Sequence, residues 1–270
     1  MNLQLGGRRA LVTGSSSGIG EAIARLLSEE GCRVVIHGRN VERAEKVAAA
    51  IGAAGVAIGD LKTDEGADAT VAAARKALGG DIEIVVNNAG GGTGGSTSKA
   101  FLDVSLDKWV ATYQGNTLAA MRMVERLVPG MRDAGFGRII QISSAVGVQP
   151  NYLGPDYSSA KAALNNMSVS LAGALKGTGI TVNTVSPGVI ITPAMLKWGR
   201  SIAMENGWGE NPTDEELEAR IANERLNLPA GRIGRVEDIA MMVCLLASPR
   251  SGYITGANHR IDGGQVRSVN

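Results

Sequence analysis

Short apolar runs that close on glycine, serine or asparagine alternate along this chain with segments of helical periodicity, and this alternation restricts the fold more than any other feature. Residues 9–13, 33–37, 56–58, 82–86, 138–142 and 180–185 are mostly Val, Ile, Leu and Ala, and residues 259–264 read as a short seventh strand with its turn. Between them, apolar residues recur at helical spacing over 19–29, 41–51, 67–78, 107–133, 157–175 and 236–247. Strands that are apolar throughout rather than alternating are buried on both faces, so the pattern predicts a doubly wound α/β fold, a parallel sheet with helices on either side. At 270 residues the chain is within reach of one such domain. We expect a single domain over 1–270. The stretch 193–227 is the least regular and, lying between a strand and a helix, reads as a substrate lid.

Charge narrows the function. The chain carries 27 basic and 26 acidic residues, so it offers neither a nucleic-acid footprint nor a basic membrane surface, and a small-molecule substrate is expected. The two cysteines, Cys32 and Cys244, provide no disulfide framework and no metal-ligand cluster. No signal-peptide order and no apolar run long enough for a membrane span is present, which points to the cytoplasm.

The first strand ends in Thr13-Gly14-Ser15-Ser16-Ser17-Gly18-Ile19-Gly20. Glycines there let the backbone turn sharply and approach a pyrophosphate, whose charge the next helix's N-terminus can hold. The second strand ends in His37-Gly38-Arg39-Asn40, with no acid and one arginine. In nucleotide-binding βαβ units an acid at this place favours a free ribose 2′-hydroxyl and an arginine accommodates a 2′-phosphate. NADP(H) is therefore favoured and NAD(H) remains possible, although Arg39 could instead help to open the helix from Val41. His37 has no assigned task. Asp60, beyond the third strand, could accept from an adenine amino group or cap the next helix. Asn87-Asn88-Ala89-Gly90 closes the fourth strand and suits backbone contact with a ribose; a glycine- and serine-rich mobile loop is expected over 90–98.

Tyr157 and Lys161 are four residues apart in an Ala-rich helical segment, so phenol and ammonium can share one face. A nearby positive charge lowers a phenol's pKa from about 10, although an exposed i,i+4 pair would look the same in sequence. Ser143 and Ser144 end the fifth strand, and Asn116 sits inside a predicted helix, where it either makes a specific hydrogen bond or lies exposed.

Taken together, Thr13-Gly14-x-x-x-Gly18-x-Gly20, Asn87-Asn88-Ala89-Gly90, Asn116, Ser144, Tyr157-x-x-x-Lys161, Pro187-Gly188 and Asp262-Gly263-Gly264 resemble the short-chain dehydrogenase/reductase family over nearly the whole chain. The resemblance implies a seven-stranded Rossmann fold, assembly as a homotetramer through helices 107–133 and 160–175, and hydride transfer between a nicotinamide and a ketone or secondary alcohol. It implies Tyr157 as general acid and base, Lys161 as the group that holds the ribose and depresses the pKa of Tyr157, Ser144 on the substrate oxygen, and Asn116 supporting a relay water. Ser144 rather than Ser143 follows from its thirteen-residue distance to Tyr157. Gly14, Ser16, Ser17, Gly18, Ile19, Gly20, Asn88, Ala89, Gly90, Pro187 and Gly188 would line the cofactor, with Asp60 and Leu61 at the adenine, Arg39 at the 2′-phosphate, and Ile190 and Thr192 at the carboxamide. One departure is Ser17, where many NADP-binding members carry a basic residue.

The commonest relatives of this length reduce 3-oxoacyl groups on acyl carrier protein. Their carrier-docking arginines correspond here to Gly135 and Thr178, which argues against a carrier-bound substrate while Lys176 and Arg132 keep it open. Trp198, Met195, Trp208 and Met204 suggest an apolar pocket wall or simple packing of the lid. Gln149, Asn151 and Tyr152 could contact a polar substrate such as a hydroxylated ketone, or lie exposed. An inactive, dinucleotide-sensing regulator is the alternative from another class, disfavoured because all four catalytic residue types are kept; a sugar-nucleotide epimerase would have a different glycine spacing.

Overall fold

A computed structural model describes residues 1–91, 99–150 and 152–268. Its strands are β1 (Arg9–Val12), β2 (Arg33–Gly38), β3 (Gly55–Ile58), β4 (Ile84–Asn87), β5 (Gly137–Ile142), β6 (Ile180–Pro187) and β7 (Asn258–Ile261). They form one parallel sheet in the order β3-β2-β1-β4-β5-β6-β7. The helices are α1 (Gly18–Glu29), α2 (Val41–Ile51), α3 (Asp64–Leu78), α4 (Leu106–Tyr113), α5 (Ala119–Asp133), α6 (Pro155–Ala174), α7 (Pro193–Ala203), α8 (Asp214–Arg220) and α9 (Val236–Ala247). Strand order reverses where β1 pairs with β2 on one side and β4 on the other, and a crevice opens there at the strands' carboxyl ends.

The apolar strands have two cores to fill. Ile84 and Val86 face a cluster with Ile23, Leu27, Val47 and Ile239 from α1, α2 and α9, whereas Val85 faces Val71, Met123 and Leu127 from α3 and α5. Full burial of each such side chain contributes roughly 1.5–3 kcal/mol, so both faces hold the sheet in register.

Three elements differ from expectation. Helix α3 begins at Asp64 rather than 67, because the Thr63 side chain accepts from Gly66 N (3.1 Å) and Asp64 and Glu65 occupy the positive end of the helix. The helix expected over 107–133 is interrupted: between α4 and α5 lies a π-turn, Gln114–Leu118, with Asn116 at its middle. The segment 193–227 is not irregular. It holds α7, α8 and a second π-turn, Ile221–Arg225, closed by a cluster of its own that includes Met195, Ala203, Trp208, Leu217 and Ile221. Its apolar positions meet each other rather than the sheet. Most of the loop expected over 90–98 lies outside the described residues. Among the described residues no helix is long and apolar enough to cross a membrane.

Candidate active site

The cleft is built at the junction of β1 and β4. Thr13 Oγ1 donates to Val86 O (3.2 Å) and accepts from Asn88 N (3.0 Å) and Ala89 N (2.9 Å), which ties the two strand ends together. Asn88 Nδ2 then donates to Thr13 O (2.9 Å) and Gly14 O (3.1 Å). A Cβ at Gly20 would strike that amide and the Gly14 carbonyl, so the first turn of α1 packs against the loop at a distance only glycine allows. Two cavities, of about 600 Å³ and about 390 Å³, share Gly14, Ser17, Ala89, Gly90 and Gly91 as a common wall and so form one elongated cleft.

At the larger end stand Ser16, Arg39, Asp60 and Leu61, as expected, together with Asn40, Arg43 and Lys62, which sequence reasoning passed over. Asp60 does not cap α3; its Oδ1 accepts from Lys62 N (3.1 Å) within its own loop. His37, left without a task by the sequence, is buried and joins three segments. Its Nδ1 accepts the Gly14 N–H (2.9 Å), its backbone N–H donates to Ser15 Oγ (3.0 Å), and Nε2 lies 3.2 Å from Gly59 O. An acceptor at Nδ1 places the proton on Nε2, so the ring serves the turn only when neutral.

Burial pushes the His37 pKa down to about 4 from 6.5. The unfolded chain therefore takes up a proton that the folded chain refuses between those values, and stability present above pH 6.5 is lost as pH falls toward 4. We expect thermal melts of the cofactor-free protein to lose about 3 kcal/mol of stability through His37 across this window. The His37→Gln variant should lose that much less over the same range, and parallel wild-type and variant profiles would overturn the assignment.

The smaller end brings together Ile19, Gly20, Asn88, Ser144, Tyr157, Lys161, Pro187, Gly188, Ile190 and Thr192. Gly18 opens α1 but lines a separate groove beside α9. The two serines are distinguished by their bonds: Ser143 Oγ is buried and donates to Lys161 O (3.1 Å), whereas Ser144 is hydrogen-bonded to the Tyr157 phenol. Tyr157 and Lys161 do share a face of α6, with Lys161 Nζ 5.6 Å from the phenol ring centroid. The expected lowering of the Tyr157 pKa is not what the structure holds. Burial raises it, with the Ser144 bond working in the opposite sense, because the Lys161 ammonium is itself buried and donates to Ile142 O (2.8 Å) instead of to the phenol oxygen. Burial also lowers Lys161 to about 8.

Asn116 makes specific bonds. Its Oδ1 accepts from Gly91 N (2.9 Å), and its Nδ2 donates to Gly91 O (3.0 Å) and Thr112 O (2.9 Å). The amide thus fixes the chain just beyond β4, and the π-turn is what aims it there. A Cβ on Gly90 would lie 2.5 Å from Asn116 Oδ1 and 3.5 Å from Lys161 Nζ, so both groups approach the space that the missing side chain leaves.

Of the expected substrate contacts, Ser144 and Tyr157 lie together in the smaller cavity, and Gln149, Tyr152 and Trp198 do not line it. Trp198 packs into the cluster of α7 and α8, with the Arg225 guanidinium 5.5 Å from its ring. Tyr152 is exposed, Gln149 Oε1 accepts from Arg267 N (3.2 Å) of the C-terminal segment, and Asn151 lies outside the described residues. Met195 and Trp208 are buried among the same helices, and Met204 is exposed.

Fold and cleft together define a dinucleotide-binding α/β protein with two hydroxyls and a buried lysine at one end of the cleft. The model of the short chain dehydrogenase family matches residues 8–202. The chain is 37% identical to the uncharacterized oxidoreductase YvaG of Bacillus subtilis, over all of both chains. It is 35% identical to the 3-oxoacyl-[acyl-carrier-protein] reductase FabG of Haemophilus influenzae, over 96% of this chain and 98% of that one. Among solved structures, L-sorbose reductase from Gluconobacter frateurii, complexed with NADPH and L-sorbose, superposes with a TM-score of 0.89 at 33% identity over all of both chains. The chain therefore belongs to the short-chain dehydrogenase/reductase family. It is an oxidoreductase acting on CH–OH or carbonyl groups.

Proposed function

We propose that the protein interconverts a small ketone and its secondary alcohol with NADP(H), with Tyr157 as general acid and base. The observation that carries this reading is the shared cleft: Tyr157, Ser144 and Lys161 lie at one end, and Arg39, with no acid at the end of β2, lies at the other. Gly14 and Gly20 line the cleft without side chains, which suits the close approach of a pyrophosphate to the backbone. The bound nicotinamide supplies or accepts the hydride.

The chain's own groups would handle the oxygen and the proton. Ser144 and Tyr157, bonded to each other, present two hydroxyls that orient a carbonyl oxygen and stabilise charge developing on it. A phenol held above its ordinary pKa is protonated at neutral pH, the form that donates during reduction. Lys161, at about 8, is mostly protonated at pH 7 yet able to release a proton, so it can reprotonate Tyr157. We read the chain as one Rossmann domain with 193–227 as its lid, and assign the exposed Leu106, Val110 and Val169 of α4 and α6 to contacts between copies in a homotetramer.

A free substrate is favoured over a carrier-bound one, because the positions expected to dock an acidic carrier hold Gly135 and Thr178; polyol-like ketones fit the likeness to a sorbose-binding reductase. Initial rates with NADPH and NADH against keto sugars, cyclic ketones, a diketone and a 3-oxoacyl thioester test this. We expect NADPH to be at least about tenfold more efficient, equivalent to about 1.4 kcal/mol, with a keto sugar as best substrate. Equal use of both cofactors, or preference for the thioester, would overturn the respective part.

A further inference from the structure

The adenosine end of the cleft holds more positive charge than one arginine. Arg39, Arg43 and Lys62 all line its cavity of about 600 Å³, and among the described residues Asp60 is the only carboxylate in that wall. Asp60 is turned onto its own loop through the bond from Lys62 N. The side chains of Arg39 and Arg43 have no hydrogen-bond or ion-pair partner among the described residues, whereas Arg122, Arg126, Arg232 and Arg235 are each tied to a carboxylate.

Local structure explains where Arg43 points its charge. Asn40 caps α2, its Oδ1 accepting the Arg43 N–H (2.8 Å), which fixes Arg43 as the third residue of the helix. Helical side chains lean toward the N-terminus, so Arg43 leans back over the strand end where Arg39 stands. Helix polarity adds positive potential at the same place.

Resting on the NADP(H) reading above, we propose that Arg43 is a specificity-determining residue that, with Arg39, clamps the phosphate on the adenosine ribose from the helix side. A phosphate dianion has room for two guanidinium groups, and two forks from different elements restrict its position more than one. The glycine turn itself brings no positive side chain to this wall, only Gly14, Ser16 and Ser17, so its charge comes from Arg39, Arg43 and Lys62.

Binding of fragments without a nicotinamide separates this from turnover. The purified full chain, and its Arg39→Ala and Arg43→Ala variants, are titrated calorimetrically with adenosine 2′,5′-bisphosphate and with 5′-AMP at several salt concentrations. We expect the wild type to prefer the bisphosphate by at least tenfold. Arg43→Ala should weaken the bisphosphate roughly 10- to 100-fold, leave 5′-AMP unchanged, and flatten the salt dependence. A wild type indifferent to the 2′-phosphate overturns the NADP(H) reading itself. Discrimination by the wild type that survives Arg43→Ala overturns the role of Arg43 and leaves Arg39 standing. Equal loss of both fragments, with a lowered melting temperature, shows a structural residue and also overturns the proposal. Arg43 is exposed, so the variant is expected to fold.

Discussion

Replacing Tyr157 by Phe should lower turnover roughly a thousandfold, the size expected when a positioned general acid is removed, while dinucleotide affinity stays within a factor of about two. The substitution deletes a single oxygen. The ring keeps its place beside Lys161, whose ammonium is held by Ile142 O and not by the phenol, so the cleft wall survives. Ser144 loses its phenol partner but remains at the end of β5 to orient a carbonyl oxygen. The effect should therefore fall on kcat, with KM little changed. Steady-state kinetics paired with a fluorescence titration of NADPH decide it. Turnover retained above a tenth of wild type would remove Tyr157 from the chemistry, and loss of turnover in step with loss of NADPH binding would make it a cofactor contact instead.

The seven strands, their parallel arrangement and many of the residues that line the cleft were legible because they depend on local pattern. A strand apolar on both faces, a glycine turn and a hydroxyl at a strand's end each leave a mark within a few residues. What escaped depends on contacts far along the chain. His37 looked idle because its partners are a backbone N–H 23 residues earlier and a carbonyl 22 residues later, neither of which has a side-chain signature. The π-turn at Asn116 contains Gly115 but no proline, and one glycine beside an unfavourable mid-helix asparagine is a weak mark inside a long helical pattern. Arg43 reads as an ordinary helix-surface arginine until Asn40 is known to cap that helix and to place it over the cavity. Trp198 misled for the opposite reason: a large aromatic in a long connection suggests a pocket wall, but α7 and α8 bury enough apolar surface against each other to use it themselves. The sign of the Tyr157 shift was also missed, because i,i+4 spacing reveals that an ammonium is near and not which oxygen it serves.

Lys161→Met should abolish most turnover and yet stabilise the folded chain near neutral pH. Lys161 is almost wholly buried and, among the described residues, its ammonium has a carbonyl for a partner and no carboxylate in an ion pair. Its pKa of about 8, against 10.5 in an ordinary environment, means that the folded state holds the proton less tightly than the unfolded chain does. Between these values the unfolded chain is the more protonated, so the stability contributed by Lys161 rises with pH across the window, and below pH 8 the full penalty of about 3 kcal/mol applies. Methionine has similar length and no charge. It removes the penalty but leaves Ile142 O without its donor, a cost of about 1–3 kcal/mol, so the net gain at pH 7 is on the order of 1 kcal/mol. As pH rises from 8 toward 10.5 the wild type sheds its penalty and overtakes the variant by the cost of that orphaned carbonyl. Urea unfolding of both proteins at pH 7 and pH 10 measures the crossing. A difference between them that stays constant with pH would show that Lys161 is solvated in the folded state, and its fitness to pass a proton to Tyr157 near neutral pH would then need another source, because the same burial that destabilises the chain is what brings the ammonium's pKa into the working range.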